Sequence, residues 1–185
     1  MSCIPKILEL KGDKEFLPII DPENKRERAD HGLTVEGGGE YKGYHYLITF
    51  TGCAHRCGYV ALPPDHPLSD EDLELTSNSP PEPYELLVHG GITFHGKGTH
   101  LLERLFPNQP LCEDVWLGFD AAHYQDGKDW EKHAKYYGED CMKALSSCFE
   151  PIREFSRNEK VRTYKYMEKQ CKNLIDQLIG EKEAA

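Results

Sequence analysis

The 185-residue chain carries 22 Lys and Arg against 32 Asp and Glu, a net charge of −10, which excludes the basic stripe that a nucleic-acid partner requires. With 38% hydrophobic and 29% charged residues, it is long enough to bury one core while leaving much of its surface solvated, so a single domain over 1–185 is expected. No apolar run reaches the ~18–20 residues that span a bilayer, which leaves no membrane partner.

The N-terminal stretch MSCIPKILELKGDKEF has no apolar signal core or small-residue cleavage site, and this reads as a cytoplasmic chain. Its seven scattered cysteines then read as reduced thiols, several of them packed as small hydrophobes.

Residues 1–43 form a loosely patterned N-terminal segment. Ile7, Leu8 and Leu10 suggest a short edge strand. Phe16, Leu17, Ile19 and Ile20 form a second apolar patch, which Pro18 keeps out of a central strand because it lacks a ladder donor. The charged run Glu23-Asn24-Lys25-Arg26-Glu27-Arg28 reads as a solvated turn or short helix, and Gly37-Gly38-Gly39 as a flexible loop. Tyr44–Thr51 is the first clear strand, with Tyr44, Tyr46, Ile48 and Phe50 on one face. Tyr59–Leu62 reads as its hairpin partner, with Cys53–Cys57 at the tip and Pro63-Pro64 ending it.

Asp70-Glu71-Asp72 opens a short helix that Asn78-Ser79-Pro80-Pro81 stops. Glu85–Phe94 reads as a strand broken at Gly90-Gly91, Thr99–Leu105 as a short helix, and Val115–Phe119 as the next strand. A helix from Trp130 to Phe149 follows. Thr163–Leu178 is the clearest helix, its stripe being Tyr164, Met167, Cys171, Leu174, Ile175 and Leu178. Thr163 suits its N-cap and Gly180 its C′ position, with 181–185 a tail. The expected fold is α+β, a mostly antiparallel sheet covered on one face by C-terminal helices.

Three polar clusters fall at the ends of these strands. In Cys53-Ala54-His55-Arg56-Cys57-Gly58 the cysteine spacing admits zinc, but four ligands are wanting, so no metal site is assigned. Arg56 at a turn can clamp a carboxylate or phosphate bidentately. His89-Gly90-Gly91-Ile92-Thr93 combines an imidazole with glycine-exposed backbone N–H groups that can hold an oxyanion. Asp120-Ala121-Ala122-His123 spaces a carboxylate and an imidazole so that one can orient the other as a general base, and Asp126 can extend the same face. Candidate catalytic residues are therefore His89, Asp120 and His123. Candidate ligand-binding residues are Arg56, Gly90, Gly91 and Thr93.

HRCGYVALPPDHPL (55–68), VHGGITF (88–94) and WLGFDAAH (116–123), closed by TYKYMEKQCKNLIDQL (163–178), occur here in an order that resembles a group of uncharacterised small phage and prophage proteins. The resemblance spans residues 40–178 and implies a phage or mobile-element context, hence the host cytoplasm, without fixing an activity. Many members of that group carry cysteine where this chain has Ala121, so a thiol there is dispensable.

These features lead to one expectation and two alternatives. The first is a module that binds a small anionic, nucleotide-like ligand, sequestering a host signal. The alternatives are a small hydrolase using an Asp–His pair, with or without a metal, and a protein–protein interaction module. The sequence names no cofactor and no oligomeric state.

Overall fold

In the computed structural model, residues 3–11, 33–70, 86–98, 113–140, 142–143 and 159–184 are described. Among them the chain forms helix α1 (Ile4–Lys11), strands β1 (Leu33–Tyr41), β2 (Tyr44–Thr51), β3 (Arg56–Ala61), β4 (Phe94–Lys97), β5 (Val115–Asp120) and β6 (Asp126–Gly127), helix α2 (Trp130–Tyr137), strand β7 (Lys160–Val161) and helix α3 (Tyr164–Ala184). Strands β1 to β5 make one antiparallel sheet in the order β1-β2-β3-β5-β4, while β6 and β7 pair in parallel as a separate short ribbon. The expected α+β architecture, an antiparallel sheet with the C-terminal helix packed on it, is what the chain adopts.

Alternation along β2 divides the core. Tyr44, Tyr46 and Ile48, joined by Val60, Leu117 and Phe119, meet Met167, Cys171, Leu174, Ile175 and Leu178 of α3. Leu47, with Tyr59, Ala61 and Trp116, faces the other way and meets Ile4 and Ile7 of α1. A strand residue and its neighbour point to opposite faces, so each face needs its own cover. The sheet is thus covered on both faces. Phe50, at the end of β2, packs with Ala54, Tyr136 and Tyr137 beneath α2.

Gly58 lies at a close approach of α3 to the sheet, because a Cβ there would lie 2.9 Å from Cys171 Sγ and would also collide with the Phe119 ring. Gly58→Ala is therefore expected to cost about 1–3 kcal/mol by overpacking. A urea midpoint equal to wild type would contradict this account of the α3 interface.

Several expectations are corrected. Ile7 and Leu8 belong to a helix rather than an edge strand, since Ile4 and Ile7 one turn apart both bury against the sheet. Gly37-Gly38-Gly39 is not a loop but the middle of β1, with a bulge between Val35 and Gly37. Glycine is needed there because the Tyr164 ring crowds Gly37 and the Tyr46 ring crowds Gly39.

Within Glu85–Phe94, residues 86–93 are not strand. Gly90 and Gly91 take positive φ values of 71° and 84°, which turns the chain out of extended geometry. The segment runs instead along α3, where Leu87 N–H donates to Gln177 Oε1 and His89 N–H to Gln170 Oε1. The helix from Trp130 is interrupted after Tyr137, where Gly138 takes φ 92°, and residues 139–140 and 142–143 are again helical. Helix α3 continues through Gly180 to Ala184, so Gly180 is not its C′ residue and 181–184 are not a tail. Cys3 is disulfide-bonded, unlike the free Cys53, Cys57 and Cys171, so the thiols are not all reduced.

Glu85 and the features expected at 16–28, 71–81, 99–105 and 144–149 lie outside the described residues. Among the described residues no helix is long and apolar enough to cross a membrane.

Candidate functional site

The loops that follow β5 and precede α3 meet the 86–93 segment at one edge of the sheet. Asp120 closes β5 opposite Cys57, and its Oδ1 accepts from Ala122 N–H at 2.9 Å, an Asx-type turn that redirects the chain. A second turn brings Asp126 N–H to His123 O at 3.0 Å, and His123 N–H returns to Asp126 Oδ2 at 3.1 Å. Asp120, His123 and Asp126 are thereby fixed by backbone bonds before any ligand arrives.

Asp126 is the hub. Its side chain is fully buried, with Arg162 Nε donating to Oδ1 at 2.6 Å and His89 Nε2 lying 2.7 Å from Oδ2. Burial alone would raise the Asp126 carboxyl, but the hydrogen bonds from His89, Arg162 and the His123 backbone outweigh it and hold the group below the usual carboxylate range. An ionised carboxylate can only accept, so His89 Nε2 carries the proton of that bond. His89 Nδ1 is engaged as well, 3.0 Å from Tyr166 Oη. Both nitrogens of His89 therefore have partners inside the protein.

His123 is arranged differently. The ring edge carrying Cδ2, Nε2 and Cε1 lies against Gly90, where any Cβ would fall inside the imidazole. Nε2 is buried without a hydrogen-bond partner, and the nearest charge is Asp120 Oδ1 at 3.4 Å. That separation is long for a hydrogen bond but suits a pair that tightens once a ligand binds or a proton arrives. The side chain as a whole stays 36% exposed, although its Nε2 is buried. The His89 and His123 rings stand edge to face, centroids 5.8 Å apart.

The other residues singled out from sequence stand apart from these imidazoles. Arg56 is 3% exposed, and its guanidinium is bound inside the protein. Nε meets Glu36 Oε2 at 2.6 Å, Nη2 meets Asp129 Oδ2 at 2.9 Å, and Nη1 donates to the Arg162 carbonyl at 2.9 Å. Glu36 also receives Lys132 Nζ at 2.9 Å and Tyr136 Oη at 3.1 Å. Arg56 thus supports the segment that carries Arg162 and does not face an incoming anion.

Gly91 N–H is taken by Val88 O, and exposed Thr93 donates its N–H to Gly118 O in the sheet. Neither leaves an oxyanion donor beside His89. Arg162 and Tyr166 were not anticipated, although both flank Thr163, whose Oγ1 accepts from Tyr166 N–H at 3.3 Å as the expected N-cap.

No protein-family model matches the chain, and comparison with the curated proteins and with the solved structures found no match. Among the described residues no group of three or more His, Cys, Asp or Glu is placed to hold a metal ion.

His55, at the β2–β3 tip, adds a pH dependence. Burial and the Lys128 ammonium, 3.5 Å from its Nδ1, push its imidazole from 6.5 down to about 4 against the opposing pull of Asp120 and Asp126. Between pH 6.5 and 4 the unfolded chain then binds a proton that the folded chain refuses. Stability should therefore fall as the pH drops through that window and level off below it. His133 is also lowered by burial and acts in the same direction. Asp126 has a depressed pKa, so its contribution is lost only at lower pH, as the carboxyl protonates. Urea midpoints from pH 7 to 4 should fall in wild type and fall less in His55→Gln; identical profiles would contradict the assignment.

Proposed function

We propose that this edge is the acid–base site of a small hydrolase, with His123 as the general base that faces substrate and Asp120 as the carboxylate that orients it. The observation that carries this reading is the contrast between the two imidazoles. His89 is tied at both nitrogens, whereas His123 Nε2 has no hydrogen-bond partner and 36% of the His123 side chain is exposed. A base that takes its proton from substrate or water must keep one nitrogen free of protein partners, and a carboxylate behind the ring stabilises the imidazolium that forms. Asp126, His89 and Arg162 supply a rigid backing for the loop.

The reaction class is hydrolysis of an ester-type bond, carboxyl or phosphoryl, in a small polar molecule; nucleotide-like compounds are the first to try. Binding of an anionic ligand without turnover is less well supported, because Arg56 and the Gly91 N–H are both engaged within the protein. The order of the sequence motifs supports, in this reading, a phage or mobile-element setting.

A panel of carboxyl esters, phosphomonoesters, phosphodiesters and nucleotides, followed by mass spectrometry of the products, tests the proposal. Accumulation of a hydrolysis product in proportion to protein is expected. A compound recovered intact from the denatured protein, with no product from any member, would replace the hydrolase by a binding protein.

A further inference from the structure

We infer that Tyr166 Oη is an activated nucleophile, the hydroxyl of a Tyr166–His89–Asp126 relay; this rests on the hydrolase reading for its physiological reaction but not for its test. The hydrogen-bond order is that of a hydroxyl–imidazole–carboxylate triad. Because the Asp126 carboxylate accepts from His89 Nε2 at 2.7 Å, the neutral ring presents Nδ1 as an acceptor, so the 3.0 Å bond to Tyr166 is donated by the phenol. The phenolic proton thus already points at a base whose cationic form a buried carboxylate would stabilise. Two further contacts fix the ring and favour negative charge on it. The Arg162 guanidinium lies over its face, 4.9 Å from the centroid, and the backbone of Tyr166 is pinned at the N-cap of α3.

In the reaction, Tyr166 Oη bonds to the acyl carbon or phosphorus as its proton passes to His89 Nδ1. The leaving-group bond breaks, and the departing oxygen keeps the electron pair and takes that proton from the imidazolium. Water then attacks the tyrosyl ester, giving its proton to His123. The phenolate leaves with the electron pair of the ester bond and, by way of solvent, takes up the proton that His123 accepted, which restores the starting state. His89, which touches Tyr166 rather than substrate, is the relay in this scheme and His123 the base for the second half.

An arylsulfonyl fluoride tests the nucleophile directly and needs no natural substrate. The phenol oxygen bonds to sulfur, fluoride departs with the electron pair of the S–F bond, and the proton passes through His89 to solvent. Tyr124, 89% exposed, is the internal control for an ordinary phenol. Peptide mapping at neutral pH should show Tyr166 labelled at least about tenfold faster than Tyr124. In His89→Asn the excess should vanish.

Preferential labelling of Tyr124, or equal labelling of Tyr124 and Tyr166 in wild type, would overturn the inference even if His89→Asn failed to fold. Undiminished hydrolysis by Tyr166→Phe would also overturn it while leaving the hydrolase reading in place. Fast labelling of Tyr166 by a protein that hydrolyses nothing in the panel would support the nucleophile and remove only the hydrolase reading.

Discussion

Replacing Arg56 by alanine should destabilise the protein by about 3–5 kcal/mol, the usual cost of removing one member of a buried ion pair. The side chain is 3% exposed and satisfies Glu36, Asp129 and the Arg162 carbonyl together. Its loss leaves the Glu36 carboxylate, itself 3% exposed, with Lys132 and Tyr136 as its remaining partners among the described residues. It also leaves a void next to Phe50, whose ring the guanidinium covers at 5.2 Å. Urea denaturation measures the effect, and Arg56→Lys should recover only part of it, because an ammonium cannot reproduce a planar fork. A stable Arg56→Ala protein would mean that the residue is free to serve a ligand, as its position at a turn first suggests.

Asp126→Ala should cost about 3 kcal/mol or more, since it orphans three donors at once: Arg162 Nε, His89 Nε2 and the His123 backbone N–H. Its second consequence is local. With the carboxylate gone, nothing holds His89 in the tautomer that accepts from Tyr166, and the turn carrying His123 keeps its backbone bond but loses the one from His123 N–H to the side chain. Asp126→Asn keeps the volume and one acceptor, so it should fold while showing the same loss of site order. Hydrogen exchange at the His123 amide separates the two effects: faster exchange in a folded Asp126→Asn protein is expected. Unchanged exchange would mean that the loop is held by other contacts.

Where the sequence carried a strict period, the structure was legible in it. The period-two alternation of Tyr44–Thr51 reproduces β2, and the three-and-four spacing of Met167, Cys171, Leu174, Ile175 and Leu178 identifies the buried stripe of α3. The Asp120–His123 pair was readable for a similar local reason, a turn that sets two side chains three residues apart on one side.

Long-range pairings left no such trace. Glu36 lies beside the glycines of β1 and nothing near it marks it as the partner of Arg56, so the arginine read as free. His89 finds its carboxylate 37 residues away in Asp126, a separation that no local spacing reveals. Tyr166, Gln170 and Gln177 form a second, polar stripe beside the apolar one on α3, and this stripe receives the 86–93 segment. The apolar period drew attention away from it. In α1 two buried isoleucines in eight residues are too few to separate helix from strand by pattern, and tertiary cover decided.

The claim that His123 is the substrate-facing base is tested most directly by kcat/KM for wild type and His123→Gln, measured from pH 5 to 9 on one hydrolysed compound. The expected result is a loss of about 10²–10⁴-fold, together with loss of the acid limb of the profile, in a variant whose urea midpoint stays near that of wild type. Equal rates and an unchanged acid limb in a folded His123→Gln protein would contradict it.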